Sequence, residues 1–179
     1  MTEITEKVLD TFEDLSGWKT ITSGQATLRI SQDQGFADIA MRLDFDFRGG
    51  GGFVVAAKRF SLEIPASYSF LFRIRGLAPQ NAFEFKLVDE SHQNVWRYRE
   101  EAFDFPETWQ PLTIRGHQIG FAWGPLGGGP PRDVTAIELV IAAGQGGKGT
   151  VWVEALKIRD ETYRLTPSVQ ASSALPGHG

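Results

Sequence analysis

The chain has 179 residues, enough for one domain with its own core, and carries a net charge of −4. That charge offers nothing to a nucleic-acid backbone or an anionic membrane, and no run approaches the roughly 20 apolar residues of a spanning helix, so neither partner is expected. With no cysteine at all, disulfides, thiolate metal sites and cysteine nucleophiles are excluded.

The opening MTEITEKVLD has neither a basic stretch nor an apolar stretch of the kind a signal peptide needs, and residues 1–6 read as a disordered lead. In VLDTFEDLSGW, Asp10, Glu13 and Asp14 sit among Val8, Leu9, Phe12, Leu15 and Trp18, so burying the apolar residues draws the acids toward a core. ATLRIS is a short strand. ADIAMRLDFDF alternates strictly, Ile39, Met41, Leu43, Phe45 and Phe47 against Arg42, Asp44, Asp46 and Arg48, the pattern of a half-buried strand. GFVVAAKRFSL is a more fully buried strand. SYSFLFRIRG sets Tyr68, Phe70, Phe72 and Ile74 against Arg73 and Arg75. AFEFKLVDE sets Phe83, Phe85 and Leu87 against Glu84 and Lys86. NVWRYRE puts Trp96 and Tyr98 on one face, Arg97 and Arg99 on the other. QPLTIRG, AIELVIAA and GTVWVEALKI complete the set, with a helical turn around HQIGF between them.

The glycine runs RGGGGF, GPLGGGPP and GQGGKG meet no phosphate-loop spacing; the last reads as a hairpin turn and the others as longer loops. No apolar stripe of helical period is sustained anywhere. Eight to ten strands joined by turns, with no crossover helices, make the chain all-β: an antiparallel β-sandwich of jelly-roll type. After Leu165 the composition turns to Ser, Ala and Pro, as in a linker.

Catalytic signatures are missing. No HExxH or G-x-S-x-G occurs, and the pairs Glu100/Glu101 and Asp104/Glu107 read as a solvated face rather than an acid/base pair, so the chain is not expected to be an enzyme.

Taken together, VLDTFEDLSGW and GKGTVWVEALKI resemble the first and last strands of family 11 carbohydrate-binding modules and related galactose-binding-like jelly rolls. FEFKLVDESHQNVWRYR resembles their inner strand pair, ETWQPLTI the strand that follows, and AIELVIAAGQGGKG the penultimate strand and hairpin, over about residues 7–160. The resemblance implies a module over residues 7–163 whose first and last strands are neighbours. It implies a non-catalytic accessory domain of a larger, secreted or periplasmic glycoside-active enzyme. The partners would be a polysaccharide or oligosaccharide, bound across the concave sheet, and neighbouring domains of the same polypeptide; packing against such domains without glycan affinity is the alternative. PSVQASSALPGHG resembles the opening of a discoidin domain, making residues 164–179 a linker and the start of such a domain.

The resemblance also implies a structural calcium (Ca2+) between the first and last strands. Asp10, Glu13 and Glu154 would ligate it, since calcium takes six to eight oxygens from carboxylates and carbonyls. The residues alone leave turn capping, or pairing with Arg29, Lys157 or Arg159, equally open. For the glycan, the expected groups are the rings of Trp96, Tyr98, Trp123 and Phe53, a basic cleft formed by Arg73, Arg75, Lys86, Arg97 and Arg99, and His92 in the turn at its end. Trp96 and Trp123 each serve equally well as core packing or as a ligand platform, while Trp18, Trp109 and Trp152 read as packing. The family's ligand face is rich in tyrosine; here only Tyr98 is available, and the surplus of Arg and Lys suits an acidic or hydroxyl-rich glycan.

Overall fold

The computed structural model describes residues 4–162. Its strands are β1 (Thr5–Asp10), β2 (Trp18–Thr22), β3 (Thr27–Gln34), β4 (Ile39–Asp46), β5 (Phe53–Glu63), β6 (Tyr68–Leu77), β7 (Asn81–Asp89), β8 (Val95–Phe103), β9 (Gln110–Arg115), β10 (Gly120–Trp123), β11 (Asp133–Ala142) and β12 (Lys148–Asp160). A 3-10 turn over Gly116–Gln118, where the HQIGF turn was expected, is the only helical segment among the described residues. β1 starts at Thr5, inside the stretch read as a disordered lead. The linker and discoidin-like expectations for residues 164–179 lie outside the described residues.

Two antiparallel sheets face each other. The first runs β3-β4-β12-β6-β9, with β1 also paired to β12; the second runs β10-β8-β7-β11-β5-β2. Each strand's alternation buries one row between the sheets. From β6 of the first sheet come Phe70, Phe72 and Ile74, and from β7 of the second Phe83, Phe85 and Leu87, all at most 4% exposed. The rings interlock across the gap: Phe70 to Phe85 at 4.8 Å between centroids, and Phe72 to Phe85 at 6.0 Å. Such pairs add to the burial of their large apolar area.

β1 and β12 are neighbours as expected, with Thr5 opposite Asp160 and Asp10 opposite Leu156. GQGGKG, however, is not a hairpin turn. It carries the chain from β11 in the second sheet to β12 in the first. What fixes this crossing is Asn81, fully buried. Its Nδ2 donates to the carbonyls of Pro79 and Gly146, and its Oδ1 accepts from the N–H groups of Gly144 and Gly146. The crossing's backbone groups are thereby satisfied without a ladder partner.

Candidate functional site

The outer face of the second sheet is assembled by register. Because Phe83, Phe85 and Leu87 point inward, Glu84 and Lys86 point outward; because Trp96 points inward, Arg97 and Arg99 point outward. Pairing then aligns them in rows across the strands. Gly120, Arg97, Lys86, Glu138, Ala57 and Lys19 lie opposite one another in succession from β10 to β2, and the next row holds Arg99, Glu84, Val140, Val55 and Ile21. A small apolar cluster of Val88, Val95 and Ala136, with Ala122 against it, borders the charged row.

Glu84 is the centre of this face. It is 3% exposed, a depth at which a carboxylate must be paired. Arg97 Nη1 donates to its Oε1 at 3.0 Å, Arg99 Nη1 to its Oε2 at 2.6 Å, and Lys86 Nζ stands 4.0 Å away. Arg99 also donates through Nε to Glu101 at 2.7 Å. That bond, with the Arg99 charge, holds the Glu101 carboxyl below its ordinary range. Burial pushes the Glu138 carboxyl above its ordinary range; the Lys86 charge opposes this and the Glu84 charge adds to it.

Trp123 closes one end. Its ring takes Lys86 Nζ at 4.9 Å and the Arg97 guanidinium at 5.5 Å, cation–π contacts that leave the side chain 46% exposed. The loop after it is pinned twice: buried Asn94 accepts from the Leu126 N–H at 2.9 Å, and Trp96 Nε1 donates to the Gly129 carbonyl at 2.8 Å. Gly124 sits at φ +137°, and a Cβ there would overlap the Asn94 side chain, so only glycine makes this bend. Phe53, 40% exposed and opposite Ala142, marks the far end of the face. His92 lies exposed in the β7–β8 turn at φ +62°.

Four expected residues are elsewhere. Trp96 is 2% exposed in the core, edge-on to Phe121, and Tyr98 packs on the same core, so neither offers a ring to a ligand. Arg73 and Arg75 are on the outer face of the first sheet. The chain crosses between sheets at residues 78–80, so side chains turned away from the core on β6 and β7 emerge on opposite sides of the molecule. Arg73 pairs with Glu154 at 3.2 Å and covers Phe36; Arg75 stacks on Trp152 at 4.4 Å. Sequence reasoning set Glu84 apart from the core but gave it no role; the signal was the Glu84-to-Arg99 register.

The calcium set is not brought together. Asp10, 7% exposed, accepts from the Phe12 N–H and from Trp18 Nε1, and pairs with Lys58 Nζ at 2.6 Å, tying β1 to the second sheet. Glu154, 2% exposed, accepts from the N–H groups of Ala37 and Asp38 and pairs with Arg73. Glu13 is exposed. Among the described residues no three His, Cys, Asp or Glu side chains gather as metal ligands. An ammonium and a guanidinium already neutralise the two buried carboxylates, so these residues do not fit a shared calcium.

No protein-family model matches the chain, and no curated protein matches its sequence. Solved structures do. A family 11 carbohydrate-binding module from Clostridium thermocellum, in complex with a β-1,3-1,4-mixed-linked tetrasaccharide, matches 89% of this chain and 98% of its own at a TM-score of 0.72 and 16% identity. The family 11 module of the cellulosomal cellulase Lic26A-Cel5E of the same organism matches 91% of this chain and 98% of its own at 0.69 and 16%. An exo-β-agarase matches 89% of this chain over 26% of its own at 0.60 and 13%. At such identities the likeness is one of architecture: this chain has the jelly-roll β-sandwich fold found in family 11 carbohydrate-binding modules.

Proposed function

We propose that the chain is a non-catalytic carbohydrate-binding module that holds a glycan across the outer face of its second sheet. The observation that carries this is the constellation of Trp123 with Lys86, Arg97 and Arg99 around Glu84. One partly exposed ring stands beside a row of fixed hydrogen-bond donors on a continuous sheet face, which is what recognition of pyranose C–H faces and hydroxyls requires. The likeness to a module solved with a bound tetrasaccharide supports the same reading. That the exo-β-agarase contains such a fold as about a quarter of its chain supports an accessory role within a larger glycoside-active protein.

Affinity electrophoresis and calorimetry against a panel of polysaccharides test this. Binding to at least one glycan is expected, and Trp123→Ala should weaken it about tenfold or more while leaving the unfolding transition in place, since stacking contacts contribute about 1–2 kcal/mol. A folded protein that binds no member of the panel would refute the proposal.

A further inference from the structure

Resting on the glycan-binding reading, we propose that the ligand of this face is an acidic polysaccharide, one carrying carboxylate or sulfate groups along its chain.

The balance of charge on the face is the first reason. The register turns Lys19, Arg59, Lys86, Arg97 and Arg99 to this side, against the carboxylates Glu84, Glu101 and Glu138, with Glu63 and Asp133 beyond Arg59 at one end. Within the single row from Arg97 to Lys19, however, Arg97, Lys86 and Lys19 meet one carboxyl, Glu138, and the whole chain is net negative, at −4, so this row runs against the rest of the molecule. A local excess of one sign draws oppositely charged ligands to that surface.

Geometry is the second. Glu84 has both oxygens occupied by arginines and is 3% exposed, so it is not available to accept from sugar hydroxyls. It acts as a positioning residue, a buried anion holding two guanidinium groups side by side. Arg97 spends only Nη1 on this task; its Nε and Nη2 make no hydrogen bond among the described residues, and its side chain is 34% exposed. A guanidinium edge with two parallel N–H groups matches a carboxylate or sulfate in bidentate fashion. From Arg97 to Lys19 the row crosses four strand-to-strand steps, about 19 Å at roughly 4.8 Å each, which suits a polymer with repeated anionic groups better than a single small anion.

The third reason is the poverty of rings. A neutral glycan is held largely by stacking, and among the described residues this face has Trp123 at one end and Phe53 at the other. Val140, Val55 and Ala57 form the floor between them, and the Trp123 ring already carries two cations.

The test titrates the protein with oligogalacturonate, a sulfated galactan oligosaccharide, a neutral mixed-linked β-glucan oligosaccharide and a neutral agaro-oligosaccharide, at low and at physiological salt. One or both acidic probes should bind, with affinity falling as salt rises, and the two acidic arms separate carboxylate from sulfate. Arg97→Gln should weaken acidic binding about tenfold or more. Lys19→Gln, at an exposed edge position that leaves packing intact, should weaken it by a factor of about two to five. Binding of neutral probes alone, insensitive to salt, overturns the ligand class and leaves the glycan face standing. Acidic binding untouched by both variants overturns the assignment to this face. Failure of both acidic probes removes the inference, while the glycan-binding reading falls only if the whole polysaccharide panel also fails to bind.

Discussion

Glu138 shows how a single side chain reports on this face. Burial raises its carboxyl above the ordinary glutamate range, and although Lys86 opposes the shift, the net direction is upward. A carboxyl that holds its proton more tightly folded than unfolded contributes stability only while it is protonated. That contribution is present below the ordinary glutamate pKa and is lost as pH rises through the raised folded value. Glu138→Gln removes the titration. Urea unfolding should therefore find the variant more stable than the parent at about pH 7, with the difference shrinking toward about pH 4. A parent more stable than the variant at neutral pH, or a difference independent of pH, would contradict the burial of this carboxylate beside Glu84. Asn81 marks the opposite case. Nothing in QNAFEF separates it from a turn residue, because its four bonds go to backbone groups of residues 79, 144 and 146, two of which lie more than sixty positions away.

At the level of the element, alternation was legible and sheet membership was not. Phe83, Phe85 and Leu87 against Glu84 and Lys86 declare which side of β7 is buried from the sequence alone. In β8 the alternation separates Trp96 and Tyr98 from the arginines without saying which side is buried, and the rings expected at the ligand face the core. Lys86, Arg97 and Arg99 meet as expected because β7 and β8 form a true hairpin, its turn held by Asp89 and Asn94. Arg73 and Arg75 do not join them, since the short link from β6 to β7 changes sheets, and period-2 patterning is identical for a hairpin and for a crossing. Asp10 of β1 and Glu154 of β12 illustrate a related limit. Their burial was foreseeable, but their neutralisers were not, because Lys58 reaches Asp10 and Arg73 reaches Glu154 from strands distant in sequence. Asp10→Ala strips Trp18 Nε1, the Phe12 N–H and the Lys58 ammonium of their acceptor at once. The expected loss is about 2–4 kcal/mol in denaturant unfolding, because the ammonium loses its counter-charge and two donors their partner. In the parent protein, chelation by EDTA or addition of millimolar calcium should leave the thermal midpoint unchanged; an appreciable rise with calcium would show that Lys58 or Arg73 yields its place to the ion.

For the whole molecule, β12 is the strand on which closure depends. Along one edge it pairs with β4 through residues 148–153 and then with β1 through residues 156–160; along the other it pairs with β6. Without it the first sheet falls into separate pieces, and Val151, Val153, Leu156 and Ile158, all buried, leave the core. β1 stands differently. It joins one edge of β12 with side chains that are mostly exposed, and Asp10 alone is buried. Two truncations separate these roles. A chain lacking residues 1–7 keeps Asp10 and both sheets, losing only a few net hydrogen bonds of roughly 0.5–1.5 kcal/mol each, so it should unfold cooperatively with stability lower by about 2–4 kcal/mol. A chain ending at Gly147 leaves β4 and β6 without their common partner and should show neither a cooperative urea transition nor near-ultraviolet dichroism from packed aromatic rings. Because β12 lies at the far end of the described sequence, its contacts with β4 and β1 span roughly a hundred residues or more, and loops that long close at an entropic cost before any contact forms. Refolding of the intact chain should accordingly fall in the millisecond-to-second range, with tryptophan fluorescence and hydrogen-exchange protection of β12 amides arriving together; protection of β4 and β6 well ahead of β12 would show that the first sheet assembles without its central strand.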